Sequence, residues 1–169
     1  NVGYAGGVNV CIKETPGADA WWVLNPDTQP DPAAMALQVA RLSAGDCDAV
    51  GSTIYLPDGR VQSHGGRWRP WLARAESIGH GSPLSTTPDP ATIERQQNYL
   101  NGASMMMGRR FLEVVGPMRE EYFLYCEEVE WCLRGVQLGM RLGFAPGALV
   151  LHHVGTTTGS YADIRKRPK

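Results

Sequence analysis

Three glutamates stand among aromatic residues in the stretch YCEEVEW, residues 125–131. Acidic side chains in the first turn of a helix complement its dipole and need no further role. Glu130 and Arg134 are also spaced i, i+4, which predicts an ion pair on the helix surface. Glu127 and Glu128 have no such local basic partner, and neighbouring aromatic rings would raise their pKa towards that of a general base. The pattern therefore favours a structural role for Glu130 and a functional one for Glu128.

Two further groups that could bind a ligand follow predicted strands. Asp27 comes after the apolar run 20–24, and His152 and His153 end the segment 141–151. An Asp in N-P-D-T is also a frequent turn residue, and a lone His at a strand end is more often structural than a ligand. Adjacent strand residues point to opposite faces, so at most one of the two histidines faces a given site. One carboxylate and one imidazole would suit Mg²⁺ or Mn²⁺ shared with phosphate oxygens, whereas structural zinc would need four protein ligands.

The elements that must position these residues alternate between strands and helices. The patterns predict strands over 20–24, 48–56 and 141–151, and helices over 32–45, 109–115 and 127–138. The apolar face of the 32–45 helix is predicted to be Met35, Val39 and Leu42. Continuous apolar runs are typical of strands buried on both faces of a parallel sheet, so we expect an α/β fold.

Two glycine-rich segments are predicted to be loops. Residues 64–92 are rich in Gly, Pro, Ser and Thr and contain Trp68 and Trp71, which is typical of a long lid or binding loop. The opening segment NVGYAGGVNVCI is predicted to be a glycine-rich loop that runs into a helix or strand, and it matches neither G-x-G-x-x-G nor a P-loop. It is weak evidence for close approach of the backbone to a ligand.

The composition is that of one globular domain, residues 1–169, with 43% hydrophobic and 20% charged residues. Sixteen basic and seventeen acidic residues leave a net charge of −1, so nucleic acid is not expected as a partner. Four cysteines without a C-x-x-C pair indicate reduced thiols and a cytoplasmic location. The basic tail 165–169 is compatible with peripheral contact at the inner face of the plasma membrane, although a solvated terminus is favoured. The chain begins on Asn1 without Met, so we expect it to be part of a longer protein.

Taken in order, four segments resemble glycosyltransferase family 2, the inverting GT-A enzymes that use nucleotide-sugars, and above all its bacterial rhamnosyltransferase-like members. NVGYAGGVN resembles the family's N-x-G-[FY]-x-G-G-x-N loop, and VLNPDT its form of the DXD motif with Asn as first residue. NYLNGASMMMGRRFLEVVG resembles the family segment [DN]-Y-[LV]-x-G-A-x-M-x-x-R-R-x-x-F-x-x-V-G. EEYFLYCEEVEWCLR followed by LHHVGTTTG resembles D-E-x-[YF]-F-L-Y-x-E-D-V-D-W-C-L-R with H-H-V-G-x-S-x-G. The match runs nearly from end to end.

The resemblance implies a fold and a set of site residues. The fold would be α/β of the GT-A (Rossmann-like) type, with a mixed, mostly parallel sheet flanked by helices and without its first β-α-β segment. Glu128 would be the catalytic base, and Glu127 would orient the site. Asp27 and His152, preferred over His153, would hold a divalent metal, Mg²⁺ or Mn²⁺. The implied donor-binding residues are Asn1, Gly3, Gly7, Asn9, Asn25 and Asp27, and those for the sugar and acceptor are Gly102, Ala103 and Trp131.

The implied reaction is a single displacement at an anomeric carbon. A sugar, with rhamnose as first guess, would move from a nucleotide-sugar donor to a saccharide or lipid-linked acceptor in cell-envelope polysaccharide synthesis. Because a nucleoside diphosphate leaves readily once its charge is neutralised, one carboxylate base suffices, whereas glycoside hydrolases typically need two.

The sequence departs from the family pattern, and two other functions stay open. Glu replaces the family's Asp at positions 128 and 130, and Asn25 removes one charge from the metal site. One alternative is a truncated, non-catalytic GT-A module that binds a saccharide or a partner protein through Trp68 and Trp71. A metal-dependent hydrolase is disfavoured, since the sequence offers few ligands to hold a metal without substrate phosphate.

Overall fold

The computed structural model describes residues 1–122 and 125–153. Its helices are α1 (Gly3–Glu14), α2 (Ala34–Ser43), α3 (Pro90–Gln96), α4 (Arg109–Val115) and α5 (Glu127–Gln137). Its strands are β1 (Ala20–Leu24), β2 (Thr28–Pro30), β3 (Ala49–Tyr55), β4 (Val61–Ser63), β5 (Gly66–Arg69), β6 (Arg74–Ser77), β7 (Ser104–Gly108) and β8 (Leu142–His152). The basic tail and residues 154–159 of the last family-like motif lie outside the described residues.

Six strands form one mixed sheet in the order β1-β7-β3-β8-β2, with β4 beside β3. Strands β3 and β8 are parallel, and the other pairings of the described sheet are antiparallel. The predicted α/β fold with a mixed sheet and flanking helices is confirmed, but within the described strands the sheet is not mostly parallel. Apolar runs misled that prediction because the antiparallel strand β7 is also buried along its whole length.

Helices cover both faces of this sheet and enclose two hydrophobic cores. Alternate side chains of β7 enter different cores, Met105 on one face and Met106 on the other. The first core contains Phe111 of α4 and Trp131 of α5, which pack edge to face with ring centroids 5.4 Å apart. The second core contains Ala34 of α2. Burial of Trp131 fixes α5, and with it the first helical turn that carries the glutamates.

Helix α2 presents a different face to the sheet from the predicted one. Met35 and Val39 are 54% and 46% exposed, whereas Ala34 and Gln38 are fully buried. Leu42, the third residue of the predicted face, does pack against the second core. The small side chain of Ala34 lets the helix backbone approach the sheet closely, and the longer side chains are turned to solvent.

The two segments predicted as loops contain regular structure. Residues 64–92 include the hairpin β5–β6. In this hairpin the Glu76 Oε2 lies 3.1 Å from the Arg69 Nε and 4.0 Å from the Arg67 Nε. The glycine-rich opening is helix α1, in which Gly3 alone has a positive φ, of 72°. Glycine and proline content misled both predictions, because here these residues mark helix starts and turns beside the hairpin.

Gly135 of α5 allows close packing against the ring of Phe111. A Cβ atom at position 135 would lie 2.4 Å from a ring carbon, well inside van der Waals contact. We therefore expect Gly135→Ala to lower the free energy of unfolding by about 1–3 kcal/mol. The matched control is Gly7→Ala in α1, where a Cβ meets nothing within 4 Å and should add about 0.5–1 kcal/mol. Urea unfolding of both variants tests this, and equal effects would contradict the packing.

Candidate active site

Glu128 opens onto a cavity of about 170 Å³ between α5, the loop before β7 and the end of β8. The residues that line it are Tyr4, Asn25, Asn101, Gly102, Ala103, Tyr125, Glu127, Glu128 and His152. Six of these were predicted as site residues from the sequence, and they come from segments more than 100 residues apart. The fold therefore brings the acidic pair, the Asn of N-P-D-T and one histidine to one place.

The turn that leads into α5 has an unusual backbone. Tyr125 and Cys126 have φ values of 73° and 70°, in the left-handed region that non-glycine residues rarely adopt. Each such residue costs roughly 1–3 kcal/mol and persists only where the surrounding structure fixes it. The strained turn leads directly into Glu127 and Glu128, which both line the cavity. Strain of this kind clusters at functional sites.

Burial dominates the electrostatics of the acidic pair. It raises the pKa of Glu128 to about 7, against the opposing effect of backbone N–H groups in the first turn, and the neighbouring Glu127 adds a smaller rise. Burial also raises the pKa of Glu127, which is only 4% exposed. These shifts confirm the predicted direction. At neutral pH, Glu128 is thus close to half ionised, as a general base requires.

Glu130 behaves as predicted for a structural residue. Its carboxylate lies 2.8 Å from the Arg134 Nε and 3.4 Å from the Arg119 Nε. Arg134 of α5 and Arg119 of the segment after α4 line a different groove from the Glu128 cavity. The i, i+4 ion pair expected from the sequence is confirmed, and the two neighbouring glutamates have different surroundings.

Tyr4 and Gly102 close the cavity opposite Glu128. The Tyr4 hydroxyl donates a hydrogen bond of 2.6 Å to the Gly102 carbonyl oxygen. Burial raises the Tyr4 pKa far above its usual range, and the charges of Glu128 and Glu127 raise it further, so the phenol stays protonated. A Cβ atom at position 102 would lie 3.4 Å from the Glu128 Cγ, so glycine there keeps the space beside the carboxylate open.

Asp27 and His152 meet beside this cavity. The Asp27 Oδ1 lies 3.2 Å from the His152 Nε2, and both side chains are about 11% exposed. The backbone fixes the pair, since β2 and β8 place Thr28 opposite His152 and the His153 N–H donates to the Asp27 carbonyl at 2.9 Å. His153 itself is exposed, which agrees with the preference for His152.

The geometry of this pair fits a divalent cation. The His152 Nδ1 lies 2.7 Å from the Gln62 Oε1, so an N–H at that nitrogen leaves the Nε2 lone pair towards Asp27. Burial lowers the His152 pKa despite the opposing charge of Asp27, which favours the neutral imidazole that a metal needs. Neighbouring ligands of an octahedral Mg²⁺ are roughly 3 Å apart. Residues 1–122 and 125–153 hold no group of three or more His, Cys, Asp or Glu suited to a metal.

Two predicted site residues make structural contacts, which removes Trp131 from the candidate sugar site and leaves donor binding by Asn9 a prediction. Trp131 is fully buried and donates from Nε1 to the Gly116 carbonyl at 2.8 Å, which leaves no surface for a sugar. Asn9 donates to the Met118 carbonyl and to Glu120, and its Oδ1 accepts from the Met118 N–H. Its amide is therefore used in holding α1 to the segment after α4.

The glycines predicted to bind the donor lie beside the cavity. Gly3 and Gly7 line an apolar groove of about 650 Å³ between α1 and β1, and Tyr4 borders both this groove and the Glu128 cavity. The Asn1 Oδ1 accepts from the Gly3 N–H at 3.0 Å. A role for Asn1, Gly3 and Gly7 in donor binding stays a prediction.

The sequence analysis missed four residues of the site. Tyr4, Asn101 and Tyr125 line the cavity, and Gln62 orients His152. Tyr4 occupies the [FY] position of the loop motif quoted above, so that signal was available. Gln62 lies 90 residues from His152 on strand β4, which pairs with β3 and not with β8, and nothing local in the sequence marks it.

No protein-family model matches the sequence. The chain is 30% identical over 179 residues to N-acetylglucosaminyl-diphospho-decaprenol L-rhamnosyltransferase from two strains of Mycobacterium tuberculosis. The alignment covers 94% of this chain and 58% of each relative, so the chain spans little more than half the length of these proteins. None of the described helices is long and apolar enough to cross a lipid bilayer.

The fold is similar to that of a solved glycosyltransferase. The crystal structure of GalNAc-T7 with UDP, GalNAc and Mn²⁺ superposes with a TM-score of 0.67 at 16% sequence identity. The superposition covers 89% of this chain and 30% of that chain. At this identity the likeness concerns the fold alone. The chain has the GT-A glycosyltransferase fold, and its resemblance to the rhamnosyltransferase-like members of glycosyltransferase family 2 is confirmed.

Proposed function

We propose that this chain is the central and C-terminal part of an inverting glycosyltransferase domain. It would move a sugar, with L-rhamnose the first candidate, from a nucleoside diphosphate to a saccharide or lipid-linked acceptor. The observation that carries this proposal is that Glu128 and His152 line one cavity. The pKa of Glu128 is about 7, and His152 contacts Asp27. The name of the mycobacterial relative, a rhamnosyltransferase of a diphospho-decaprenol, supports the sugar and the lipid-linked acceptor.

In this proposal Glu128 accepts the proton of an acceptor hydroxyl while that oxygen attacks the anomeric carbon. The nucleoside diphosphate leaves from the opposite face, so the anomeric configuration inverts. Burial of Glu128 raises its pKa most, and the charge of Glu127 at the same cavity adds a smaller rise. The neutral Tyr4 hydroxyl holds the Gly102 carbonyl in place, which fixes the wall of the cavity across from the base.

Asp27 and His152 are the residues that would hold Mg²⁺ or Mn²⁺ in this site. Such an ion, when bound, supplies positive charge next to the leaving diphosphate. Gln62 keeps the His152 ring in a ligating orientation through the hydrogen bond to Nδ1. The presence of UDP and Mn²⁺ in the GalNAc-T7 crystal is consistent with this part of the proposal.

Titration calorimetry with UDP- and dTDP-sugars, with and without Mn²⁺, tests the proposed function. We expect at least one nucleotide-sugar to bind, roughly tenfold or more tightly when Mn²⁺ is present, because a metal shared with diphosphate needs both partners. NMR of the product should show inversion at the anomeric carbon. Absence of metal-dependent binding to every donor, or retention of configuration, would contradict the proposal.

A second candidate is a saccharide-binding module without catalysis. A groove of about 490 Å³ on the far side of α5, lined by Trp68, Tyr122 and Arg119 among others, favours it. Aromatic side chains beside polar ones are typical of sugar-binding surfaces. In this case calorimetry would detect a free oligosaccharide and no nucleotide-sugar.

A further inference from the structure

The tip of the β5–β6 hairpin carries two large apolar side chains in water. Trp71 is 98% exposed and Leu72 is 67% exposed, and both lie in the 3₁₀ turn Pro70–Leu72 that joins the two strands. The turn closes on Ala73, which has a φ of 44°. The two adjacent side chains form an apolar patch at the tip, and such a patch beside charged residues is typical of an interaction site.

The sides of the same hairpin are basic. Residues 66–77 contain three arginines and one glutamate, a net charge of +2, in a chain whose overall charge is −1. Arg69 and Arg74 lie directly opposite each other, an arrangement in which like charges destabilise a strand pair. Glu76 pairs with Arg69 and Arg67, and among the described residues no ion pair is found for Arg74. An anionic partner would offset this repulsion.

The root of the hairpin is fixed to the protein body. Trp68 faces the opposite side from the arginines and packs against the first core. The Gly66 N–H donates to the Tyr99 carbonyl at 2.9 Å, and the Tyr99 hydroxyl donates to the Glu76 carbonyl at 3.3 Å. The tip therefore projects from a supported strand pair, and little ordering is needed when it meets a surface.

We propose that this hairpin tip docks on an anionic lipid surface, with Trp71 and Leu72 in the interface and Arg69 and Arg74 on the phosphate headgroups. Tryptophan favours the membrane–water interface because its ring is apolar and its N–H is polar. Each arginine near an anionic surface strengthens binding. The apolar residues lie at the tip of the hairpin and the basic residues lie next to them. A bilayer offers an apolar layer beside anionic headgroups in the same order, so it matches this hairpin more closely than a protein surface does. The contact is independent of the donor site and of catalysis.

Vesicle co-sedimentation of the whole chain tests this proposal. We expect binding to phosphatidylcholine vesicles that contain phosphatidylglycerol, and weaker binding as salt is added. Trp71→Ser combined with Leu72→Ser should lower the partition coefficient at least about tenfold, because the apolar anchor is lost. Arg69→Gln combined with Arg74→Gln should lower it by roughly 25-fold, about fivefold for each charge. Brominated acyl chains should quench the tryptophan fluorescence of the parent more than that of Trp71→Phe, and this difference reports on Trp71.

Matched variants keep the test selective. Val136→Ser combined with Leu138→Ser removes exposed apolar side chains from the end of α5, 41% and 51% exposed, and should leave binding unchanged. Replacement of the basic residues of the tail 165–169 by Gln should leave most of the binding in place. The proposal is overturned if the chain ignores anionic vesicles, if the Trp71 and Leu72 variant binds like the parent, or if the tail variant alone loses binding. It is also overturned if the Trp71 and Leu72 variant changes only the self-association of the chain and not its binding to vesicles.

Discussion

Glu128→Gln will lower kcat by roughly 10²–10⁴-fold, the range that a positioned general base contributes, while donor affinity stays near that of the parent. Glutamine keeps the shape and hydrogen-bonding reach of glutamate but cannot take a proton from an acceptor hydroxyl. Gly102 and Tyr4 line the same cavity as Glu128, and an amide of the same size as the carboxylate should be accepted there without movement. Steady-state kinetics gives the loss in kcat, and calorimetry with the nucleotide-sugar gives the affinity.

Glu130→Gln is the matched control, two positions further along the same helix. That carboxylate pairs with Arg134 and Arg119 and does not line the Glu128 cavity, so its loss should change kcat less than about threefold. If the two variants lose turnover alike, the damage lies in α5 and the assignment of Glu128 as base is wrong.

The pH dependence separates loss of the base from loss of the fold. The turnover of the parent should rise with pH through an apparent pKa near 7, where Glu128 ionises. Because burial raises this pKa from 4.5 to about 7, the contribution of Glu128 to stability is present below pH 4.5 and is lost as the pH rises through 7. At pH 8 the Gln variant should therefore be more stable than the parent, by up to about 3 kcal/mol, and at low pH the two should be alike. A variant that is inactive and yet more stable has lost chemistry and not structure.

The sequence predicted the features that are set by interactions between residues close together in the chain. The strand 20–24, the helix 109–115 and the Glu130–Arg134 pair each depend on neighbours within a few residues, and the structure confirms all three. The separation of Glu128 from Glu130 was likewise visible, because an i, i+4 partner existed for only one of them.

Long-range packing decided the rest. Trp131 was implied to bind the sugar or acceptor, yet it packs edge to face against Phe111 of another helix. The face of α2 that meets the sheet follows the small residue Ala34 rather than the larger Met35. Gln62 could not be found at all, since its role exists only where β4 passes the end of β8. Tertiary packing between distant segments, not the local sequence pattern, sets these contacts.

Asp27→Asn should abolish the tightening of nucleotide-sugar binding by Mn²⁺ and lower kcat/KM by roughly a hundredfold or more, since a metal-bound diphosphate is worth several kcal/mol. The substitution keeps the size of the side chain and removes the charge that faces the His152 Nε2 at 3.2 Å. Calorimetric titration of Mn²⁺ in the presence of nucleoside diphosphate measures the loss without any turnover. Binding of the nucleotide-sugar in the absence of metal should change little, because the Asn25 and Gly102 walls of the cavity remain.

Asp58→Asn is the appropriate control for this change. Asp58 is an exposed turn residue whose Oδ1 accepts from the Arg60 N–H at 3.0 Å, so its neutralisation removes the same charge far from any ligand. If both Asn variants keep metal-dependent binding, the cation is held elsewhere and the Asp27–His152 pair is an ordinary buried contact. If only Asp27→Asn loses it while Glu128→Gln retains it, metal binding and proton transfer belong to separate groups of one cavity. That division is expected when the leaving group departs on one face of the sugar and the acceptor hydroxyl arrives on the other.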